Sequence, residues 1–233
     1  MLISEIFYSV QGEGILTGVP SVFVRTSGCN LRCRWCDTPY ASWKPEGAEM
    51  TPGEILTEIR SHAAAAHVVL TGGEPMIAKD VNALISLIRS AGYHLTIETA
   101  GTTPPPEAGC DLASLSPKLR NSTPLPGEIS GGWIQRHEQT RTNLPFLRQW
   151  IEAAGVTQLK FVISDQDDLA EARHLVESLA IPFRADHVLL MPEGRTMAEL
   201  RDRSAWLVEV CKTHGHRFCH RLHIELFGNK RGT

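Results

Sequence analysis

Along most of this chain a short apolar strand ends in polar or glycine-rich residues and gives way to a helix. That repetition constrains the fold more than any other feature. Thr51-Pro52-Gly53-Glu54 reads as a helix start: a hydroxyl cap, proline in the first turn, glutamate at the third position. Val68–Leu70 is a strand that ends in Thr71-Gly72-Gly73-Glu74-Pro75, and Ala78–Ser90 carries Val81, Leu84, Ile85 and Ile88 at helical spacing. Leu95–Ile97 is a strand ending at Glu98, and Leu112–Leu115 another ending at Ser116-Pro117-Lys118. A helix near Leu144–Ala154, a strand at Gln158–Ile163, a helix from Ser164 to Leu179, a strand at His187–Met191 and a helix capped by Thr196 follow. Such units build an α/β fold on a parallel sheet. Parallel strands carry their sites at their C-terminal ends, so Thr71, Glu98, Ser116 and Lys118 are candidates for one shared site.

Two further strands, Leu2–Val10 and Ser21–Thr26, flank Gln11-Gly12-Glu13-Gly14. Ala63–Ala66 reads as the end of a helix. Leu119–Thr140, rich in Gly, Pro, Ser and Thr, reads as a long surface loop, and Arg217–Leu226 as a last strand before a basic tail. The 233 residues, 42% hydrophobic and 21% charged, fit one soluble domain spanning 1–233. No apolar run approaches the ~20 residues of a transmembrane helix. The start, Met-Leu-Ile-Ser-Glu-Ile, lacks a signal-peptide pattern, so a cytoplasmic location is expected. A net charge of −3 gives no argument for nucleic acid.

Three of the six cysteines fall within eight residues, as Cys29-x-x-x-Cys33-x-x-Cys36. Three thiolates this close can converge on one metal centre, zinc or iron–sulfur. A structural zinc wants four protein ligands, and His62 and His67 are the next candidates along the chain. A cubane held by three thiolates leaves one iron open. Three unrelated core cysteines are the plain alternative. Cys211, His214, His216, Cys219, His220 and His223 form a second Cys/His-rich stretch with no standard zinc spacing. Gly12-x-Gly14-x-x-x-Gly18 has neither the spacing nor the following helix of a dinucleotide site.

Cys29-x-x-x-Cys33-x-Trp35-Cys36 resembles the signature of radical S-adenosylmethionine (SAM) enzymes, and Thr71-Gly72-Gly73-Glu74-Pro75 resembles their glycine-rich motif. Glu5 to Gly14, Arg25, Cys36-Asp37-Thr38, Glu98-Thr99, Ser116-Pro117-Lys118 and the ending Leu222–Gly232 narrow the resemblance to the 7-carboxy-7-deazaguanine synthase family. The segment 119–155 matches no motif and reads as a variable insertion or loop-rich segment.

The resemblance implies an incomplete, modified (β/α) barrel, and a lyase acting in the synthesis of queuosine or other 7-deazapurines. Cys29, Cys33 and Cys36 would hold a 4Fe–4S cluster whose open iron binds S-adenosylmethionine. A radical made from it would take hydrogen from C6 of 6-carboxy-5,6,7,8-tetrahydropterin, which contracts its ring and loses ammonia to give 7-carboxy-7-deazaguanine. Trp35, Asp37, Gly72, Gly73, Glu74, Glu98, Ser116, Pro117 and Lys118 would bind the cofactor. Glu74 would accept hydrogen bonds from its ammonium. Thr38 would bind Mg²⁺, an ion that prefers oxygen ligands; read alone, Asp37 and Thr38 form a loop cap. Val10, Gln11, Gly12, Glu13, Arg25, Thr71 and His223 would bind substrate, with Arg25 making a bidentate pair to its carboxylate. Met191-Pro192-Glu193 follows a late strand and could line the cofactor site. A low-potential donor such as flavodoxin or ferredoxin and a second copy of the chain are the implied partners. The competing readings are a glycyl-radical activase and a non-catalytic zinc-binding module.

Overall fold

Period-two alternation gives every central strand two unlike faces. Val22 and Val24, Val68 and Leu70, Leu95 and Ile97, Ala113 and Leu115, Leu159, Phe161 and Ile163, and Val188 and Leu190 all join one apolar cluster with the helices. Their neighbours in sequence point the other way. A computed structural model describes residues 1–233. It begins with β1 (Leu2–Val10), β2 (Pro20–Thr26), a single-turn α1 (Pro39–Ser42), β3 (Ala48–Glu49) and α2 (Pro52–Ser61). Next come β4 (His67–Gly72), α3 (Val81–Ser90), β5 (His94–Thr99), β6 (Leu112–Leu115), α4 (Gly131–Thr140) and α5 (Leu144–Ala153). The chain ends with β7 (Val156–Ile163), α6 (Gln166–Leu179), β8 (Val188–Pro192), α7 (Met197–His214), β9 (Arg217–Phe218) and α8 (Leu222–Phe227).

All nine strands form one sheet in the order β3-β1-β2-β4-β5-β6-β7-β8-β9. From β2 to β9 every pairing is parallel; β1 runs antiparallel to both β2 and β3. The sheet does not close on itself, so this is the expected α/β architecture as an open, partial barrel. Helix entry follows the sequence. Thr51 and Glu54 form a reciprocal capping box on α2, and Thr196 and Glu199 another on α7. The cap of α6 is Asp165, one residue beyond Ser164.

Three expectations need correction. Residues 131–140 form α4 rather than loop; Trp133 and His137, one turn apart, give it an inward face that outweighs its two leading glycines. Ala63–Ala66 lies outside α2, which ends at Ser61. Arg217–Leu226 is not one strand: β9 stops at Phe218, because the backbone N–H of Leu222 turns to Gly12 O (2.8 Å) and Arg221 to Glu13, after which α8 begins.

Candidate active site

At the C-terminal ends of the strands, the inward side chains and the following loops enclose a cavity of about 400 Å³. Every site residue singled out from the sequence lies on its wall except Glu74 and Pro117. Glu74 is 1% exposed, and its carboxylate accepts from Thr99 Oγ1 (2.7 Å), Ala100 N (2.9 Å) and Met76 N (3.2 Å). These bonds tie the end of β5 to the turn after β4.

The three cysteines sit on the loop between β2 and α1, opened by Gly28, whose N–H donates to Ala41 O (2.8 Å). Gly73 lies under this loop. A Cβ there would meet Gly28 O at 2.3 Å, Ala41 O at 2.5 Å and Cys29 Cβ at 2.8 Å, so only glycine lets the two segments touch. All three thiols are free and open onto the same cavity. Burial pushes the thiols of Cys29 and Cys33 up to about 12, with no cation strong enough to reverse it. They do not gather around the position of a single ion, and neither do His, Cys, Asp and Glu anywhere else in the chain. Three soft ligands on one cavity wall, spread wider than a single ion needs and with no fourth protein ligand, fit a multinuclear centre with one position open.

Beside the cysteines stands a set of buried charges. Glu13 accepts from Arg221 Nε at 2.9 Å and pairs with Lys160. Arg221 also pairs with Asp37 and donates to Gly194 O (2.5 Å). Burial would raise the Glu13 carboxyl, but the Lys160 and Arg221 cations outweigh it and hold Glu13 well below the ordinary carboxylate range. Asp37 is lowered in the same way: burial raises it, and Arg221 more than compensates. Lys160 stands 3.9 Å from Glu98, which accepts from Thr71 Oγ1 at 2.9 Å. Burial disfavours the Lys160 ammonium, yet Glu13 and Glu98 raise its pKa above the usual lysine range. The cavity thus holds fixed ionised groups.

Towards β1 the wall changes character. Phe7 and Phe23 stack at 4.9 Å. Arg25 donates through Nε to Glu5 (2.7 Å), leaving both terminal nitrogens without a protein partner. Tyr40 donates to the same carboxylate at 3.0 Å. Gln11 donates to Ser21 Oγ (3.0 Å) and keeps its carbonyl oxygen unpaired. The Thr38 hydroxyl does not cap α1, so the loop-cap reading does not account for it. Across the cavity Lys118 donates to Ser116 Oγ (2.8 Å) and lies 5.5 Å from the centre of the Trp35 ring. A Cβ on Gly12 would overlap His223 Nδ1 at 2.0 Å, so the terminal segment packs directly on the first loop.

Lys160, Arg221, Glu5 and Tyr40 line the cavity but received no site role from the sequence. Lys160 left a signal: Gln158, Lys160 and Val162 alternate with the apolar residues of β7. Arg221 left none, because its segment read as a strand.

A model of the radical SAM superfamily matches residues 23–118. The 7-carboxy-7-deazaguanine synthase of Rhodopirellula baltica is 50% identical over 233 residues, covering 100% of this chain and 89% of that protein. The chain belongs to the 7-carboxy-7-deazaguanine synthase family. The Halobacterium salinarum synthase is 44% identical over 99% of this chain and 92% of its own length. The crystal structure of QueE from Escherichia coli superposes with a TM-score of 0.68 at 25% identity, covering 95% of this chain and 94% of that one. The chain is thus a radical SAM enzyme, and the activase and zinc-module readings fall. Membership in this family implies a 4Fe–4S cluster and S-adenosylmethionine, a small-molecule substrate and a reductant. No helix is long and apolar enough to cross a membrane.

Proposed function

We propose that the chain converts 6-carboxy-5,6,7,8-tetrahydropterin to 7-carboxy-7-deazaguanine with loss of ammonia, in queuosine or other 7-deazapurine synthesis. One observation carries the substrate assignment: Arg25 presents two unpaired guanidinium nitrogens to the cavity that Cys29, Cys33 and Cys36 also line. A guanidinium anchored at Nε keeps its far edge fixed for a carboxylate, the group that distinguishes this pterin.

A 4Fe–4S cluster on the three cysteines would supply the one-electron cleavage of S-adenosylmethionine. The protein's part is to bind, orient and exclude water. Gly72 and Gly73 bring backbone to the cavity wall beside Cys29. Ser116, Lys118 and Trp35 offer hydroxyl, ammonium and ring to the nucleoside, with Asp37 and Glu98 nearby. Glu13, kept ionised, accepts from the amino and N–H edge of the pterin. Gln11 offers its free carbonyl there, with Val10, Gly12, Thr71 and His223 around it. The Thr38 hydroxyl would hold Mg²⁺, an ion that prefers oxygen ligands and would help orient the substrate. The enzyme works in the cytoplasm as a homodimer and draws its electrons from flavodoxin or ferredoxin.

Anaerobic incubation of reconstituted protein with a low-potential reductant, S-adenosylmethionine, Mg²⁺ and 6-carboxytetrahydropterin tests the reading by mass spectrometry. 7-Carboxy-7-deazaguanine is the expected product. If 5′-deoxyadenosine forms alone, the substrate is wrong. In Arg25→Ala the Michaelis constant for the pterin rises while that for S-adenosylmethionine holds; equal pterin affinity removes Arg25 from the site.

A further inference from the structure

The segment 119–140 supplies one residue, Asn121, to the Trp35 ring and none of the groups assigned above, yet it holds the cysteine loop in place. A loop crossing a folded protein must still place its backbone polar groups. Between Gly28 and Asp37 there is no helix or strand to receive them. Arg34 N–H donates to Ser122 O (2.9 Å), and Arg32 N–H donates to His137 Nδ1 (3.1 Å). The Trp35 ring N–H donates to Asn121 Oδ1 (3.2 Å).

His137 is 0% exposed and uses both ring nitrogens. The Ser122 hydroxyl donates to Leu119 O (2.6 Å), so its oxygen is left to accept from His137 Nε2–H at 2.9 Å. That fixes Nδ1 as the acceptor the Arg32 amide needs. Four residues earlier on α4, Trp133 takes the other end of Arg32: the guanidinium carbon lies 4.0 Å from its ring centre. Nη1 of the same guanidinium donates to Cys29 O (2.8 Å) and Leu31 O (2.7 Å). One residue, placed between two of the cysteines, is thus gripped by α4 at its backbone and its side chain.

We infer that His137 is a positioning residue for the cluster, with Trp133 as its second hold. Together they set the path of Cys29–Cys36 and keep the Arg32 cation beside the thiols. The bracing belongs to the cluster-free chain; only its effect on a cluster rests on the function proposed above.

Hydrogen–deuterium exchange on the cluster-free protein tests the brace, with His137→Ala and Trp133→Leu as separate variants. Exchange at Leu31–Arg34 is expected to rise about tenfold in His137→Ala while β4 to β7 stay protected. After reconstitution, both variants should lose iron to a chelator several-fold faster. Their cluster should also have a more negative midpoint potential, because a loosened Arg32 no longer favours the reduced, more negative state. Unchanged exchange at Leu31–Arg34 with a wild-type potential overturns the inference. So does exchange that rises evenly through the whole sheet, which would mean general destabilisation. Trp133→Leu leaves the His137 bonds in place, so it decides the matter by potential if His137→Ala unfolds α4. A wild-type protein that takes up no cluster sinks the proposed function, and the exchange comparison still judges the brace.

Discussion

On β7, Leu159, Phe161 and Ile163 turn outward into the helices, while Gln158, Lys160 and Val162 turn inward. The same division runs across the sheet. Outside lies a cluster of 31 buried residues with Trp150 at 0% exposure, and inside the apolar cluster has only Val162, Leu189, Met191 and Cys219. Burial of apolar area on one face stabilises the fold. The other face spends that stability on ionised groups such as Glu13, Lys160 and Arg221, which gain only where they are mutually paired. A sheet covered on one face alone can afford a polar hollow on the other.

Substitutions separate the two faces, and the largest effect is expected inside. Cys33→Ala should reduce S-adenosylmethionine cleavage to background while chemical denaturation of the cluster-free protein shifts by only about 1 kcal/mol. Residual 5′-deoxyadenosine at a tenth of the wild-type rate would break the assignment. Outside, Trp150→Ala should cost about 3–5 kcal/mol in the same denaturation experiment, from lost burial and the cavity left behind. Lys160→Met removes one of the two cations on Glu13 and should lower turnover about 100-fold, or about 3 kcal/mol. Its fold should hold, because Arg221 still pairs the carboxylate.

Acid gives the smallest effect and sharpens the contrast. The folded pKa of His137 is depressed to about 4 by burial, against an ordinary 6.5. Between those values the unfolded chain binds the extra proton, so stability falls as pH drops from 6.5 towards 4, by at most about 3 kcal/mol. Denaturation across that window should show the loss in wild type, and less of it in His137→Gln. Glu13 and Asp37 behave differently. Their folded pKa values lie below the ordinary carboxylate range, so their contribution persists through this window and is lost only at lower pH.

Much of this was legible in the sequence because strand alternation and capping are local signals. Thr51 and Glu54 announce α2, and the polar ends of β4, β5 and β6 announce the cavity. What could not be read was set by distant partners. Residues 131–140 look like loop until Arg32 and Ser122 give His137 something to hold. Arg221 looks like part of a strand until Glu13 and Asp37 draw it out of the sheet. Glu74 sits in a recognisable motif, but its bonds to Thr99 and Ala100 depend on a strand 25 residues away.

The packing of His223 on Gly12, and the pairing of Arg221 with Glu13, also bear on synthesis. Residues 11–13 leave the ribosome among the first cavity-forming parts, and their partners Arg221 and His223 leave more than two hundred residues later. Until then Glu13 faces a nascent chain that lacks one of its two cations. The cavity beside the cysteines is therefore walled on this side only once the last residues of the chain have folded back onto its first loop.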